Sequence, residues 1–296
     1  MARSVKRAEV RIGIIGGSGL YAMQGAKLLR EARIKTPFGA PSDAVTIAEV
    51  AGVSVAFLPR HGKGHRISPT EINFRANIYA LKSIGVERII GVAATGSLKE
   101  ELAPRDLVIP DQLVDKTRHR ASTFFTDGIV AHVQFNKPFC PGLGAVLAES
   151  AQEVSLNMHS GGVYVCMEGP AFSTLAESQE NRRMGYDLIG MTASPEAKLA
   201  REAEICYATL AFVTDYDCWK EGEEAVNVEA LIGNLTEGTR RAQMVLAKAI
   251  PKFARHNPSQ DRCACRVALS TALVTDKKMM DKRTVQKLKL LVGKYV

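Results

Sequence analysis

The sequence predicts an α/β protein whose central sheet is flanked by helices. Apolar runs typical of buried strands alternate along the chain with segments whose apolar residues recur at helical spacing. Hydrophobic residues make up 46% of the 296 positions, enough for a large core, and no Pro-, Gly- or Ser-rich linker divides the chain. We therefore expect a single domain over residues 1–296, with solvated basic ends at 1–9 and 276–296.

Nine segments have the composition of strands. Two of them, 45–49 and 53–58, flank the turn pair Ala51-Gly52 and predict a hairpin. The other seven are 10–15, 28–34, 88–94, 106–113, 162–167, 188–191 and 205–213.

Five segments have the periodicity of helices, and Gly85 and Gly185 follow two of them as C-terminal caps. These segments are 76–84, 145–154, 174–184, 195–203 and 228–250. Residues 121–141 predict no regular element.

The net charge of +8 resides at the two ends of the chain. Residues 1–12 hold four basic residues and one acidic residue, and residues 276–296 hold seven basic and two acidic ones, so +3 and +5 account for the whole excess. Nucleic-acid binding would need a basic surface with interleaved aromatic residues, but the tail has one aromatic residue, Tyr295. No apolar run is long enough to span a bilayer. We expect neither nucleic-acid nor membrane partners.

The cysteines and the N-terminus predict the compartment. The N-terminal sequence is basic and then apolar, but the apolar part is short, broken by glycines and without a cleavage-like site, so we expect no export and a cytoplasmic location.

The six cysteines are Cys140, Cys166, Cys206, Cys218, Cys263 and Cys265. They form no Cys-x-x-Cys pair, which argues against zinc. Cys263-Ala-Cys265 could close a strained disulfide, but reduced thiols are expected in the cytosol.

Charged or small residues follow four predicted strand ends, where open α/β sheets bind ligands. They are the cation pair Arg60-His61, the loop at 94–97, Met191-Thr192, and Asp215 with Asp217. A fixed cation, a titratable histidine and free backbone N–H groups suit an anion such as phosphate. An isolated Arg-His pair is more often a solvated surface feature, so the phosphate hypothesis depends on the other strand ends.

A glycine-rich turn, GGSG at 16–19, follows the first predicted strand. It departs from the dinucleotide-binding pattern Gly-x-Gly-x-x-Gly because Ala22 occupies the third glycine position, and the next segment, 28–34, is typical of a strand rather than a helix. We favour a tight turn whose N–H groups and Ser18 hydroxyl contact a small oxyanion.

Asp215 and Asp217 suggest acid catalysis. Carboxylates at i and i+2 on a continuing strand point the same way. Two like charges held together favour one protonated partner, as a general acid requires. The alternative is that Asp215 caps the following turn and Asp217 is solvated.

Six motifs together carry a resemblance. They are GGSG at 16–19, RHGKGH at 60–65, the 93–97 loop, MEGPAFST at 167–174, GMTASPEAKLA at 190–200 and TDYDCW at 214–219. In order and spacing they resemble the trimeric purine nucleoside phosphorylases, over about residues 10–253. The resemblance implies a nucleoside phosphorylase-like fold with a mixed central sheet, and a homotrimer. It also implies a reaction in which phosphate attacks the anomeric carbon of 5′-methylthioadenosine, releasing adenine and forming 5-methylthioribose 1-phosphate.

The resemblance assigns roles to the matching positions. Phosphate would be held by Ser18, Arg60, His61, Ala93, Ala94 and Thr192. Asp215 would protonate the leaving purine at N7, and Asp217 would contact its 6-amino group. The sugar and base would be contacted by Met191, Phe172 and Ser173. The 5′ group would be covered by Val228, Leu231 and Ile232, which equally fit a core stripe, and by His132 of a neighbouring subunit. No metal or organic cofactor is implied, and inorganic phosphate is a co-substrate.

The chain departs from the family pattern at Ala93, where Ser or Thr is usual. A hydroxyl able to reach phosphate is lost there, which weakens phosphate binding unless Thr95 turns inward. Three alternatives stay open: a phosphorylase for 6-oxopurine nucleosides or methylthioinosine, an inactive relative that binds nucleosides, and a nicotinamide oxidoreductase. Relatives that act on 6-oxopurines place Asn at the position of Asp215 and often Glu at that of Ser173, so Asp with Ser favours 6-aminopurines.

Overall fold

The computed structural model describes residues 10–17, 20, 23, 25–220, 228–255 and 263–296, and only the backbone at 228–231. The strands are β1 (Ile12–Gly16), β2 (Lys27–Ala32), β3 (Val45–Val50), β4 (Val53–Pro59), β5 (Arg88–Ser97), β6 (Leu107–Ile109), β7 (Gln112–Asp115), β8 (Met158–Ser160), β9 (Val163–Cys166), β10 (Leu188–Gly190) and β11 (Cys206–Asp215). The helices are α1 (Phe74–Ser83), α2 (Pro141–Glu153), α3 (Leu175–Arg183), α4 (Ala193–Glu202), α5 (Val228–Arg255), α6 (Lys282–Lys287) and α7 (Lys289–Val292).

All these strands form one mixed sheet, as predicted. Its order is β2-β3-β4-β1-β5-β10-β9-β7, and β11 pairs with β5 and β6, which also pairs with β8. The pairs of β5 with β1 and β11 are parallel, whereas β5 with β10 and the neighbouring β2, β3 and β4 are antiparallel. Strand β5 is therefore the centre of the sheet, with partners on both sides.

Helices pack on both faces of the sheet because neighbouring residues of a strand point to opposite faces. On β5, Ile89 joins the apolar cluster that contains α1 and α4, while Ile90 joins the cluster that contains α2 and α5. The result is a three-layer α/β/α arrangement. No helix within the described ranges is long and apolar enough to cross a membrane.

Several element boundaries differ from the sequence prediction. The hairpin is confirmed, since Ala51 and Gly52 both have positive φ angles, 49° and 79°. Strand β5 continues to Ser97, so residues 95–97 are not a loop. The predicted strand 106–113 is two strands, β6 and β7, divided at Pro110, which has no N–H to donate to a ladder.

The basic tail is not simply solvated, as the sequence suggested. Residues 276–296 contain α6 and α7, and Leu288, Leu291 and Val292 are buried in the cluster that contains α1 and α4. Lys294 pairs with the buried carboxylate of Glu204 at 2.6 Å. These apolar residues, which lie among lysines in the sequence, therefore pack the C-terminal segment against the core. Residues 1–9 lie outside the described part of the chain.

Candidate active site

A cavity of about 500 Å³ opens over the carboxyl ends of β1, β4, β5, β10 and β11. Strand β5 pairs with β1 only as far as Gly91 and then continues beside β11 and β10, which leaves space beyond the end of β1. Nine of the predicted site residues line this cavity. They are Arg60, His61, Ala93, Ala94, Phe172, Met191, Thr192, Asp215 and Asp217.

Arg60 is buried and almost fully hydrogen-bonded. Its Nε and Nη2 donate to the two carboxylate oxygens of Glu196, both at 2.8 Å. Its Nη2 also donates to the Ile15 carbonyl and its Nη1 to the Val92 carbonyl. Burial opposes the charge, but Glu196 raises the pKa of Arg60 above its ordinary value. Of the five guanidinium N–H donors, one on Nη1 has no partner among the described residues and is left for a ligand.

His61 is neutral at pH 7. Its Nδ1 lies 2.9 Å from the Ile67 carbonyl oxygen, and because a carbonyl only accepts, Nδ1 carries the proton. Burial and the charge of Arg60 lower the pKa of His61 to about 4. Nε2 is then a hydrogen-bond acceptor. The predicted cation pair is therefore wrong in its charge: one member is neutral and the other is compensated by Glu196.

Small groups complete the corner of the cavity beside Arg60. Thr192 caps the N-terminus of α4, but its hydroxyl makes no capping bond. Thr95 donates its hydroxyl to the Phe212 carbonyl at 3.3 Å, so it does not replace the hydroxyl that Ala93 lacks. Ser18 lies outside the described residues, although its neighbour Gly17 lines the cavity.

Asp215 and Asp217 lie together, but for a different reason from the one predicted. Strand β11 ends at Asp215, and Asp217 adopts a left-handed backbone with φ 53°, so the two do not share a continuing strand. The Asp217 N–H donates to Asp215 Oδ1 at 2.8 Å, and the Thr214 hydroxyl donates to Asp215 Oδ2 at 2.6 Å. Burial raises the pKa of Asp217, which the hydroxyls of Ser178 and Ser173 only partly offset.

Arg120 holds the wall formed by Met191, although the sequence analysis did not single it out. Its buried guanidinium donates from Nη1 to the Met191 carbonyl at 2.6 Å and from Nε to Glu168 Oε1 at 2.9 Å. Burial opposes ionisation of Glu168, but backbone N–H groups and Arg120 lower the pKa of Glu168 to about 2. One arginine thus fixes both the Met191 turn and the loop before Phe172.

The remaining predicted residues are only partly placed. Ile232 is 56% exposed and is not among the residues lining the cavity, while the side chains of Val228 and Leu231 lie outside the described part. Leu235 and Thr239, at matching helical spacing on α5, line the cavity instead. Ser173 is not among the lining residues either; it lies near Asp217 and accepts at its carbonyl from Cys218. His132 is exposed on the surface, and its N–H donates to the Ala272 carbonyl.

Sequence reasoning missed Glu196, Arg120, Leu235 and Thr239. The sequence contains one indication of the role of Glu196. Its carboxylate lies in the small-residue segment 190–200, and a carboxylate on a buried helix face needs a paired cation. Leu235 and Thr239 continue the helical stripe of Val228, Leu231 and Ile232, which the sequence prediction ended at Ile232. No feature of the sequence indicates the role of Arg120, because its partners, the Glu168 carboxylate and several backbone carbonyls, lie far along the chain.

Comparison with known proteins reveals the relatives of this chain. Residues 11–251 match the model of the phosphorylase superfamily. The S-methyl-5′-thioadenosine phosphorylase of Geobacter sulfurreducens is 50% identical over 97% of this chain and 100% of its own length. The structure of a methylthioadenosine phosphorylase from an antarctic soil metagenomic library superimposes with a TM-score of 0.91 at 49% identity, covering 97% of this chain and 99% of that one. The methylthioadenosine phosphorylase of Schistosoma mansoni in complex with adenine gives a TM-score of 0.85 at 35% identity, covering 89% and 99%.

Proposed function

Because this chain belongs to the phosphorylase superfamily, we propose that it catalyses the reversible phosphorolysis of S-methyl-5′-thioadenosine to adenine and 5-methylthioribose 1-phosphate. It is a pentosyltransferase of purine and methionine salvage. The observation that carries this proposal is the cavity itself, which has Arg60 and the small Ala93-Ala94 pair on one side and two carboxylates, Asp215 and Asp217, on another. The first side is complementary to an anion such as phosphate, and the second is complementary to a 6-aminopurine.

The reaction joins phosphate to the anomeric carbon as the bond to the purine breaks. The electron pair of that bond moves into the leaving base, which therefore needs a proton, and the sugar passes through an oxocarbenium-like state. We assign proton donation at N7 to Asp215 and acceptance from the 6-amino group to Asp217. Phe172, which is 51% exposed at the cavity, stacks on the purine in this scheme.

Phosphate binds beside Arg60 in this proposal, through few side chains. The donors are the remaining Nη1 N–H of Arg60, the backbone at 93–94 and the hydroxyl of Thr192; Ser18 is assigned from the sequence alone. The neutral Nε2 of His61 accepts a hydrogen bond, so it suits a protonated phosphate oxygen. Because Glu196 compensates Arg60, the site binds through directed hydrogen bonds rather than through excess charge.

We infer a homotrimer, in which His132 and the C-terminal segment of one subunit cover the 5′ group in the next, beside Leu235 and Thr239. Phosphate is a co-substrate, and the chemistry needs no organic cofactor. A cytoplasmic location is supported by the six cysteines, which are all free thiols.

Adenine release from S-methyl-5′-thioadenosine, measured with and without phosphate, tests the function. Release that requires phosphate is the expected result. Faster base release from methylthioinosine would instead identify a 6-oxopurine phosphorylase. Nucleoside binding without release would identify an inactive relative, and a substrate-dependent change in nicotinamide absorbance would identify an oxidoreductase, so each of these outcomes overturns the proposal.

A further inference from the structure

Four cysteines meet at a point far from the cavity. Cys140 precedes α2, Cys206 begins β11, and Cys263 and Cys265 follow α5. Their four Sγ atoms all lie within 4.8 Å of one another. The sequence predicts no metal site because its cysteines form no Cys-x-x-Cys pair, whereas three separate parts of the chain supply these thiols.

The spacing of the sulfur atoms suits a metal rather than a disulfide. Cys263 Sγ lies 3.6 Å from the Sγ atoms of both Cys140 and Cys206. Zinc bound to four thiolates at about 2.3 Å in a tetrahedron requires sulfur–sulfur edges of about 3.8 Å. A disulfide would require about 2.05 Å.

The surroundings favour thiolates in a closed site. Cys140 stands at the N-cap of α2, a 13-residue helix whose N-terminus stabilises negative charge. Cys140, Cys206 and Cys265 are buried, whereas Cys263 is half-buried and provides an entry path for an ion.

We propose that Cys140, Cys206, Cys263 and Cys265 bind one zinc ion as a tetrathiolate site. Each thiol gives up its proton when the ion binds, and no ligand position remains for water, so the site is structural. Strand β11 has Cys206 at its first residue and Asp215 at its tenth, which separates the zinc site from the base site by about 30 Å. The ion fastens the segment that follows α5 to the starts of β11 and α2.

Metal analysis of the purified full-length chain tests this site. The chain is reduced, reconstituted with zinc without oxygen, freed of excess metal and analysed by mass spectrometry. The wild type should hold about one zinc ion per chain, and the double variant Cys263→Ser/Cys265→Ser should lose at least about nine-tenths of it. The matched control is Cys218→Ser, a free cysteine outside the cluster, which should keep its zinc.

Cobalt provides a second test that does not depend on a folded variant. Cobalt added to the reduced wild-type chain should produce the visible d–d bands and the near-ultraviolet charge-transfer band of a tetrahedral thiolate site, and zinc should abolish them. A reduced wild type that takes up neither metal would overturn the proposal. So would zinc retained by the folded double variant, or two disulfides found by alkylation of chain prepared without oxygen.

Discussion

Arg60 and Glu196 face each other in a buried ion pair with two parallel hydrogen bonds of 2.8 Å, and the Tyr207 hydroxyl donates to the same carboxylate. The arginine assigned to phosphate is therefore already neutralised before phosphate arrives. A substitution of Arg60 itself would mix two effects, because it removes a phosphate donor and leaves Glu196 buried without a partner.

Glu196→Gln separates these effects. The variant loses the counter-charge of Arg60 and should be less stable by about 3–5 kcal/mol. Phosphate then supplies the missing negative charge, so added phosphate should raise the melting temperature of the variant more than that of the wild type.

Thermal melts over a phosphate titration measure this difference. Asp115→Asn is the matched control, because Asp115 pairs with Lys198 at 2.6 Å and does not line the cavity. It should lose stability without any additional response to phosphate. Equal phosphate responses in Glu196→Gln and the wild type would place the anion away from Arg60.

Ala93→Ser should tighten phosphate binding. Ala93 lines the cavity, and the hydroxyl of Thr95 does not take the place of the missing one, since it donates to the Phe212 carbonyl. A new hydrogen bond to a charged oxygen contributes about 1.5–3 kcal/mol, so the phosphate KM should fall by about tenfold or more. Initial rates at varied phosphate measure it. Ala93→Cys, of similar size but a weak donor, should change the KM little, and an equal fall in both variants would attribute the effect to packing.

Several predicted site residues lie around one cavity because they follow strand ends. Arg60 follows β4 and Asp215 ends β11, and these strands run parallel to β1 and β5, so their carboxyl ends meet at one edge of the sheet. Thr192 reaches the same cavity from β10, which runs antiparallel to β5. Glu196 could not be paired with Arg60 from the sequence, because 136 residues separate them and only the packing of α4 brings them together. The cluster of four cysteine thiols was not predicted for the same reason, because distant parts of the chain supply them.

The predicted boundaries of strands and loops were wrong where the local sequence pattern and the tertiary contacts disagree. Residues 95–97 look like a loop because they are small and polar, yet β11 and β10 give them strand partners. Asp217 was predicted to lie on a strand that ends two residues earlier, at Asp215, in a turn closed by the Asp215 carboxylate. Each case depends on contacts that a single sequence does not display.

Glu202 should make stability fall as the pH rises. The carboxylate is buried, accepts hydrogen bonds from the Phe124 N–H and the Thr123 hydroxyl, and burial raises its pKa to about 7. In the unfolded chain the pKa is near 4.5. Its contribution to stability is therefore complete below pH 4.5 and is lost as the pH rises through about 7, by up to about 3 kcal/mol.

Glu202→Gln removes this titration while an amide can still bond to both partners. Urea unfolding at pH 5 and pH 8 should show the variant gaining stability relative to the wild type at the higher pH. Other titrating groups are common to both proteins and cancel in the comparison. A stability difference that is the same at both values would show that Glu202 is not the titrating group.

The proposed homotrimer can be tested by its mass and by the kinetics of a variant. Light scattering should give about 96 kDa, three times the 32.1 kDa of one chain. If His132 covers the 5′ pocket of a neighbouring subunit, His132→Ala should raise the KM for the nucleoside and leave the phosphate KM unchanged. Gln134→Ala, an exposed neighbour, is the control. A monomeric mass at assay concentration would remove His132 from the site.

Asp215→Asn should change the choice of base. A 6-aminopurine presents an N–H₂ donor at C6 and accepts a proton at N7 as it leaves. Carboxyl groups at Asp215 and Asp217 can give that proton and accept from the amino group, whereas a 6-oxopurine places an acceptor opposite them. Sites built on such polar groups discriminate strongly, because the wrong base leaves a buried group unpaired.

An asparagine at 215 donates its amide hydrogen to N7 but cannot transfer a proton. The variant should therefore release adenine more slowly, by about a hundredfold or more if general acid catalysis is lost, while its relative activity on methylthioinosine rises. The measurement is kcat/KM for methylthioadenosine and methylthioinosine in both proteins. Thr214→Val is the control, since it removes the hydroxyl that donates to Asp215 Oδ2 and to the Thr95 carbonyl but keeps the Asp215 carboxyl group, and it should slow both substrates alike. If the ratio of the two substrates does not move in Asp215→Asn, Asp215 serves only to close the turn at Asp217 and the base is protonated from elsewhere.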